Sequence, residues 1–191
     1  MNRARLEAFS DGVLAIIITI MVLELKVPAE SDWDALRPLI PVFISYALSF
    51  IFIGIYWNNH HHLMHLVHKI NGGVLWANLH LLFWLSLIPF VTGWMGEHHF
   101  EPVPVALYGI ILLCAACAYY ILVHALLPLH EKNSPLATAM GADFKGKISI
   151  VIYMAAIPLA FVGAGVALAL YALVALIWLV PDRRVEKVLP G

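Results

Sequence analysis

Apolar runs long enough to cross a bilayer follow one another along this sequence, and they leave few folds open. A hydrocarbon core takes about 20 apolar residues as a helix, and backbone inside it must satisfy its own hydrogen bonds. Residues 6–27, 38–62, 74–94 and 105–127 each meet that length. Residues 148–180 form a further run that is too long for one helix across a core roughly 30 Å thick. Gly163-Ala164-Gly165 divides it into spans expected at 148–162 and 166–181, with Pro158 inside the first. The expected fold class is an all-α integral membrane protein, one domain over 1–191 with six transmembrane helices. The composition, 62% hydrophobic and only 12% charged, excludes an ordinary soluble domain. A net charge of −1 excludes nucleic acid as a partner, which would call for a basic surface. Cys114 and Cys117 lie inside an apolar run and read as small packing residues, with no disulfide framework and no zinc-ligand set. Glu7 and Asp11 interrupt the N-terminal run and no small-residue cleavage site follows, so the first helix is expected to be retained.

Charge placement sets an orientation. With six spans, Arg3, Arg5, Lys69, Lys132, Lys145, Lys147, Arg183, Arg184 and Lys187 share one side, against Lys26 and Arg37 on the other. The positive-inside rule then puts both termini in the cytoplasm. A single span over 148–180 would move the three C-terminal charges across and erase the asymmetry. The opposite face carries Glu24, Glu30, Asp32, Asp34, Glu97 and Glu101, a field that favours cations over anions. Trp33, Trp57, Trp94 and Trp178 fall near span ends, where amphipathic rings prefer to sit. Ser31-Asp32-Trp33-Asp34 reads as a helix start with Ser31 as cap.

The first span is the least ordinary. Its opening turns hold Arg5, Phe9, Ser10 and Asp11, and Ala15-Ile16-Ile17-Ile18-Thr19-Ile20 follows. An ionisable group near membrane depth is costly, so Asp11 needs a partner or water. This Arg-x-x-x-Phe-Ser-Asp pattern, leading into an apolar run with a threonine, resembles the transmembrane protein 175 family of cation channels. The family is lysosomal in animals and has single-repeat bacterial relatives. The resemblance implies a potassium-permeable channel of the bacterial plasma membrane, with potassium ion and lipid bilayer as partners and no cofactor. It also implies a homotetramer, since the animal relatives carry two six-helix repeats and this chain has room for one.

At about 100° per residue, Ile16, Ile20 and Leu23 fall within roughly 60° of one another, Thr19 borders them, and Asp11 lies roughly 140° from Ile16. If that stripe faces a pore, Ile16, Ile20 and Leu23 form its constriction and Thr19 its selectivity group. Asp11 then points into neighbouring helices as a bracing residue. Periodicity alone leaves open that the stripe packs or faces lipid. A carbonyl filter of the Thr-Val-Gly-Tyr-Gly kind is absent from the sequence; Val91-Thr92-Gly93-Trp94-Met95-Gly96 is only faintly similar and reads as a frayed span end.

The cluster Trp57-Asn58-Asn59-His60-His61-His62, with His65 and His68, closes the second span. His61, His65 and His68 share a helix face if the helix continues. Three roles are open: a metal site, a solvated helix end, or bracing. No Cys or acidic residue lies nearby in sequence, so no metal is expected. For bracing, an imidazole and Asn78 on the third span would hydrogen-bond Ser10 and Asp11, with His61 the first choice. Arg5 either pairs with an acidic neighbour such as Asp11 or anchors the helix at the membrane surface. Arg5, Phe9, Ser10, Asp11, His61 and Asn78 thus form the expected bracing set. Ser45, Ser49, Ser86, His80 and His124 are single polar groups within spans, read as interhelical hydrogen-bonders. Two rival functions remain. One is a membrane haem or metal redox protein using His80 and His124; the other is a small secondary carrier, disfavoured because Pro158 is the only strong break inside a span.

Overall fold

The computed structural model describes residues 2–131, 133–140 and 143–179, and among these it contains helices and turns but no strand. Lys132, Arg183, Arg184 and Lys187, used in the charge count, and Pro181, expected to end the sixth span, lie outside the described residues.

Helix α1, Arg3–Leu23, begins where the Asn2 side chain accepts the Ala4 N–H. A 3-10 turn over Asp34–Leu39 leads into α2, Ile40–Leu66. Asp32, not Ser31, caps that turn by accepting the Ala35 N–H at 2.9 Å. The third apolar stretch is two helices, α3 (Gly72–Ser86) and α4 (Ile88–Glu97). The break at Leu87 follows from Pro89, which donates no N–H and whose ring crowds the Leu85 carbonyl one turn earlier. Helix α5 runs over Pro102–Leu126, and α6, Pro135–Met140, is a short helix that buries Leu136. Helices α7 (Phe144–Leu159) and α8 (Ala164–Leu179) make the last hairpin. Its turn starts before the glycines, because the N–H groups of Ala160, Phe161 and Val162 reach carbonyls three residues back and tighten the last turn of α7.

Among the described residues, four helical stretches are by length and composition able to cross a membrane: Arg3–Leu23, Asp34–Leu66, Gly72–Glu97 and Pro102–Leu129. The 16-residue helices α7 and α8 are shorter, about 24 Å each at 1.5 Å per residue.

Helix α5 packs against α3, α4, α7 and α8, and α1 lies across α2, α3 and α4. Small residues permit the closest approaches, as expected where bilayer lipid removes most of the hydrophobic drive for helix association. A Cβ on Gly96 would stand 2.6 Å from Val42 Cα and 2.5 Å from Ser45 Oγ, so α2 and α4 touch backbone to backbone. Gly109 makes room on α5 for Tyr171 of α8, whose hydroxyl donates to the Val105 carbonyl at 3.2 Å. The Ser49 hydroxyl joins α2 to α4 and α5 through Thr92 at 2.7 Å and Tyr108 at 3.0 Å, all three buried. The other polar groups expected between helices bond within their own. Ser45 donates to Val42, Ser86 to Phe83, and His80 and His124 pair with Trp84 and the Tyr120 carbonyl one turn away.

Candidate functional site on the first helix

Helix α1 has two unlike faces. Leu6, Ser10, Leu14, Ile17 and Met21 recur at three- and four-residue steps and are buried against the other helices. On the far side Ile16 is 58% exposed, Ile20 44% and Leu23 77%. Thr19 is exposed beside them, and its hydroxyl donates to the Ile16 carbonyl at 2.9 Å. With its proton committed to the backbone, that oxygen turns only lone pairs outward, the orientation a cation requires. An open groove beside this face is lined by Val13, Ile16, Ile20, Ser86, Pro89 and Phe90.

The buried face carries a polar chain. Ser10 Oγ donates to the Leu6 carbonyl at 2.9 Å and accepts from Asn78 Nδ2 at 2.9 Å; Asn78 Oδ1 faces His60 Nε2 at 2.8 Å. Donation from the amide to Ser10 fixes which way Asn78 points, so its oxygen accepts from His60 and the tautomer follows. All three side chains are buried. His60 Nδ1 is then the bare acceptor, and it is buried without a hydrogen-bond partner among the described residues.

A second polar seam runs along the edge of α1 facing α2. The helices are antiparallel, and contacts step one turn up α1 as they step one turn down α2. Arg3 donates to the His65 and Val67 carbonyls at 3.4 and 3.3 Å, Glu7 meets His61 Nδ1 at 3.3 Å, and Asp11 accepts from Trp57 Nε1 at 3.0 Å. Arg3 thereby places positive charge at the C-terminal end of α2, where the helix dipole favours it.

The bracing residues take these places. Ser10 and Asn78 meet directly. The imidazole that reaches Asn78 is His60, not His61; one residue along a helix turns a side chain by about 100°, which carries His61 to Glu7 and His65 instead. Asp11 is held by Trp57 rather than by a histidine. Phe9 is 53% exposed and lies apart from the bracing residues; seven residues before Ile16, it falls on that residue's face. Arg5 is exposed, with no hydrogen-bond or ion-pair partner among the described residues. His68 lies past the end of α2, where its N–H donates to His130 Nε2 at 3.0 Å. His60 was one of the imidazoles left open within the expected cluster, whereas Arg3, Glu7 and Trp57 were not among the expected bracing residues. Their signal is in the sequence as two four-residue series, Arg3-Glu7-Asp11 and Trp57-His61-His65.

The fold and site together define an all-helical membrane protein whose first helix is polar-braced on one face and apolar and unpartnered on the other. The model of the endosomal/lysosomal potassium channel TMEM175 family matches residues 5–89. A potassium channel of Chryseobacterium sp. (strain P1-3) is 57% identical over 187 residues, 98% of this chain and 97% of that protein. A potassium channel of Streptomyces collinus (strain DSM 40733 / Tue 365) is 32% identical over 188 residues, 92% of this chain and 91% of its own. The fold matches the crystal structure of a lysosomal potassium-selective channel TMEM175 homolog from Chamaesiphon minutus. That match has a TM-score of 0.78 at 26% identity and covers 94% of this chain and 97% of the other. The chain belongs to the TMEM175 potassium channel family, a family of channels and not of enzymes.

Proposed function

We propose that this chain conducts potassium ions across a bacterial plasma membrane through a pore lined by α1 from each of four copies. The supporting observation is the exposed stripe of Ile16, Ile20 and Leu23 on a helix whose opposite face is fixed by Ser10, Asn78 and His60. Lipid contact would need no such fixing, whereas a pore wall must hold its radius. Around a shared axis these side chains make a narrow apolar constriction that gates by dewetting. Such a ring attracts no cation by itself, so selection falls to Thr19, whose outward lone pairs replace part of an ion's water shell. The sequence offers no Thr-Val-Gly-Tyr-Gly carbonyl filter, which limits discrimination to a modest preference for potassium. Asp11, held by Trp57 away from the stripe, is a bracing residue rather than a filter carboxylate.

The subunit is read as six spans, with α7 and α8 as two short ones, both termini cytoplasmic, and no bound cofactor. The charge asymmetry supports that count. The acidic outer mouth is in part neutralised by its own cations. Lys26 pairs with Glu97, and Arg37 with Asp34 at 3.0 Å. The Glu97 hydrogen bond holds the Lys26 ammonium above its ordinary range. Glu24, Glu30, Asp32 and Glu101 remain to concentrate cations.

Currents from purified protein in planar bilayers, under opposed potassium and sodium gradients, test this. The expected result is a potassium-biased reversal potential, with Ile16→Ala and Leu23→Ala raising conductance or weakening the bias. Unchanged currents in both variants would remove these residues from the pore.

A further inference from the structure

The pairing of α1 with α2 brings together three metal-ligating side chains that lie far apart in sequence. One ligand atom each from Glu7, His61 and His65 falls within 4.8 Å of the others. His61 and His65, one turn apart on α2, set their Nε2 atoms 3.0 Å apart, and Glu7 Oε1 reaches His61 Nδ1 at 3.3 Å. In a tetrahedral zinc site, with metal–ligand bonds of about 2.0–2.2 Å, neighbouring donor atoms stand about 3.3–3.5 Å apart. Glu7 and His65 meet opposite nitrogens of the His61 ring, and only one of those can ligate. An ion held by all three therefore draws the single donors, which lie within 4.8 Å of one another, in to that spacing by side-chain rotation. The plane of the His61 ring is buttressed on one side. Trp57 stacks on His61 at 5.8 Å and 21°, and Asp11 holds the Trp57 indole in turn. Glu7 is mostly covered, while His65 is exposed and gives an ion its way in.

From this geometry we infer that Glu7, His61 and His65 bind a zinc-class divalent cation, completing its coordination with water. The sequence argued against a metal here because no acidic residue lies near the histidines; α1 supplies it from 54 positions away. Two imidazoles and one carboxylate suit first-row transition ions and are poorly matched to calcium or magnesium, which take oxygen ligands. An ion here cross-links the N-terminal end of α1 to α2. That gives it a hold on conduction, a consequence that rests on α1 lining the pore.

The probe is zinc chloride alone, with full-length protein in detergent and bound metal measured by equilibrium dialysis. The expected result is one zinc per subunit, with affinity at least tenfold weaker in His65→Gln and in Glu7→Gln and unchanged in the double variant His98→Gln, His99→Gln. His65 is exposed, so its substitution is expected to leave the metal-free unfolding temperature unaltered, which separates lost ligation from lost fold. Equal binding in wild type, His65→Gln and Glu7→Gln, or no saturable binding in wild type, overturns the site. Potassium flux in liposomes, with zinc on both sides, then tests its coupling to conduction. Zinc is expected to change flux severalfold in wild type and not in His65→Gln. Flux insensitive to zinc in protein that binds it overturns the coupling and leaves the site standing. Absence of any potassium flux overturns the pore reading alone.

Discussion

Thr19 and Asn78 show how much one polar group does inside an apolar helix bundle. Thr19 has a choice common to membrane threonines, to bond its own backbone or to reach across to a neighbour. It takes the first, donating to Ile16, which leaves the oxygen's acceptor capacity to whatever passes its exposed face. Thr19→Val keeps the shape and removes that oxygen. The expected outcome is a reversal potential shifted toward that of an unselective pore, read in bilayers under the same gradients; an identical reversal potential would show the hydroxyl idle. Asn78 serves two helices at once, donating to Ser10 on α1 and accepting from His60 on α2. Asn78→Ala strands both partners in a buried site, where an unsatisfied polar group costs about 1–3 kcal/mol. Thermal unfolding should show that loss, and Asn78→Asp should not repair it, because a carboxylate lacks the amide donor that Ser10 accepts from.

At the scale of the helix, spacing decides what touches. The four-residue series Arg3-Glu7-Asp11 and Trp57-His61-His65 form rungs because antiparallel helices present one turn against one turn. Between α2 and α4 the deciding residue is Gly96. Its missing side chain lets Val42 Cα come to the distance where a Cβ would clash, and backbone cannot yield as a flexible side chain can. Gly96→Ala is expected to destabilise the subunit by about 1–3 kcal/mol, the usual cost of overpacking. Gly54 sits on α2 with nothing within 4 Å of where a Cβ would stand, so Gly54→Ala should stabilise instead, by about 0.5–1 kcal/mol from helix propensity. Opposite signs for two Gly→Ala changes on the same bundle, read as unfolding-temperature shifts, are the check; a loss at both sites would point to glycine flexibility rather than contact.

For the whole molecule, the open question is what covers the apolar face of α1. A lone subunit leaves Ile16, Ile20 and Leu23 bare while it spends a buried polar chain on holding the other face in place. The proposed shared axis would account for both. In a variant with Cys114→Ser and Cys117→Ser, Leu23→Cys is expected to give disulfide-linked dimers under mild oxidation in membranes, because residues at a symmetry axis meet their own copies. Val151→Cys on α7, exposed like Leu23 but on another helix, is the control. Monomer only from Leu23→Cys, or equal linking at both positions, would place that face in lipid.

The runs of apolar residues dictated an all-helical membrane protein, since a bilayer admits no other backbone that satisfies itself within a single segment. The Arg5-Phe9-Ser10-Asp11 pattern was legible too, as was Ile16, Ile20 and Leu23 sharing one face, because helix geometry converts spacing to direction without help from any neighbour. The break at Leu87 was half visible, since Pro89 within the run 74–94 can kink a helix but does not say that two helices result. What no spacing rule supplied was which helix stands against which, and at what height. That choice put His60 rather than His61 on Asn78, gave Asp11 to Trp57, and carried Glu7 to the His61–His65 pair. Local sequence fixes a side chain's angle about its own axis. Only packing, settled by where Gly96 and Gly109 let backbones and rings close in, decides what that angle meets.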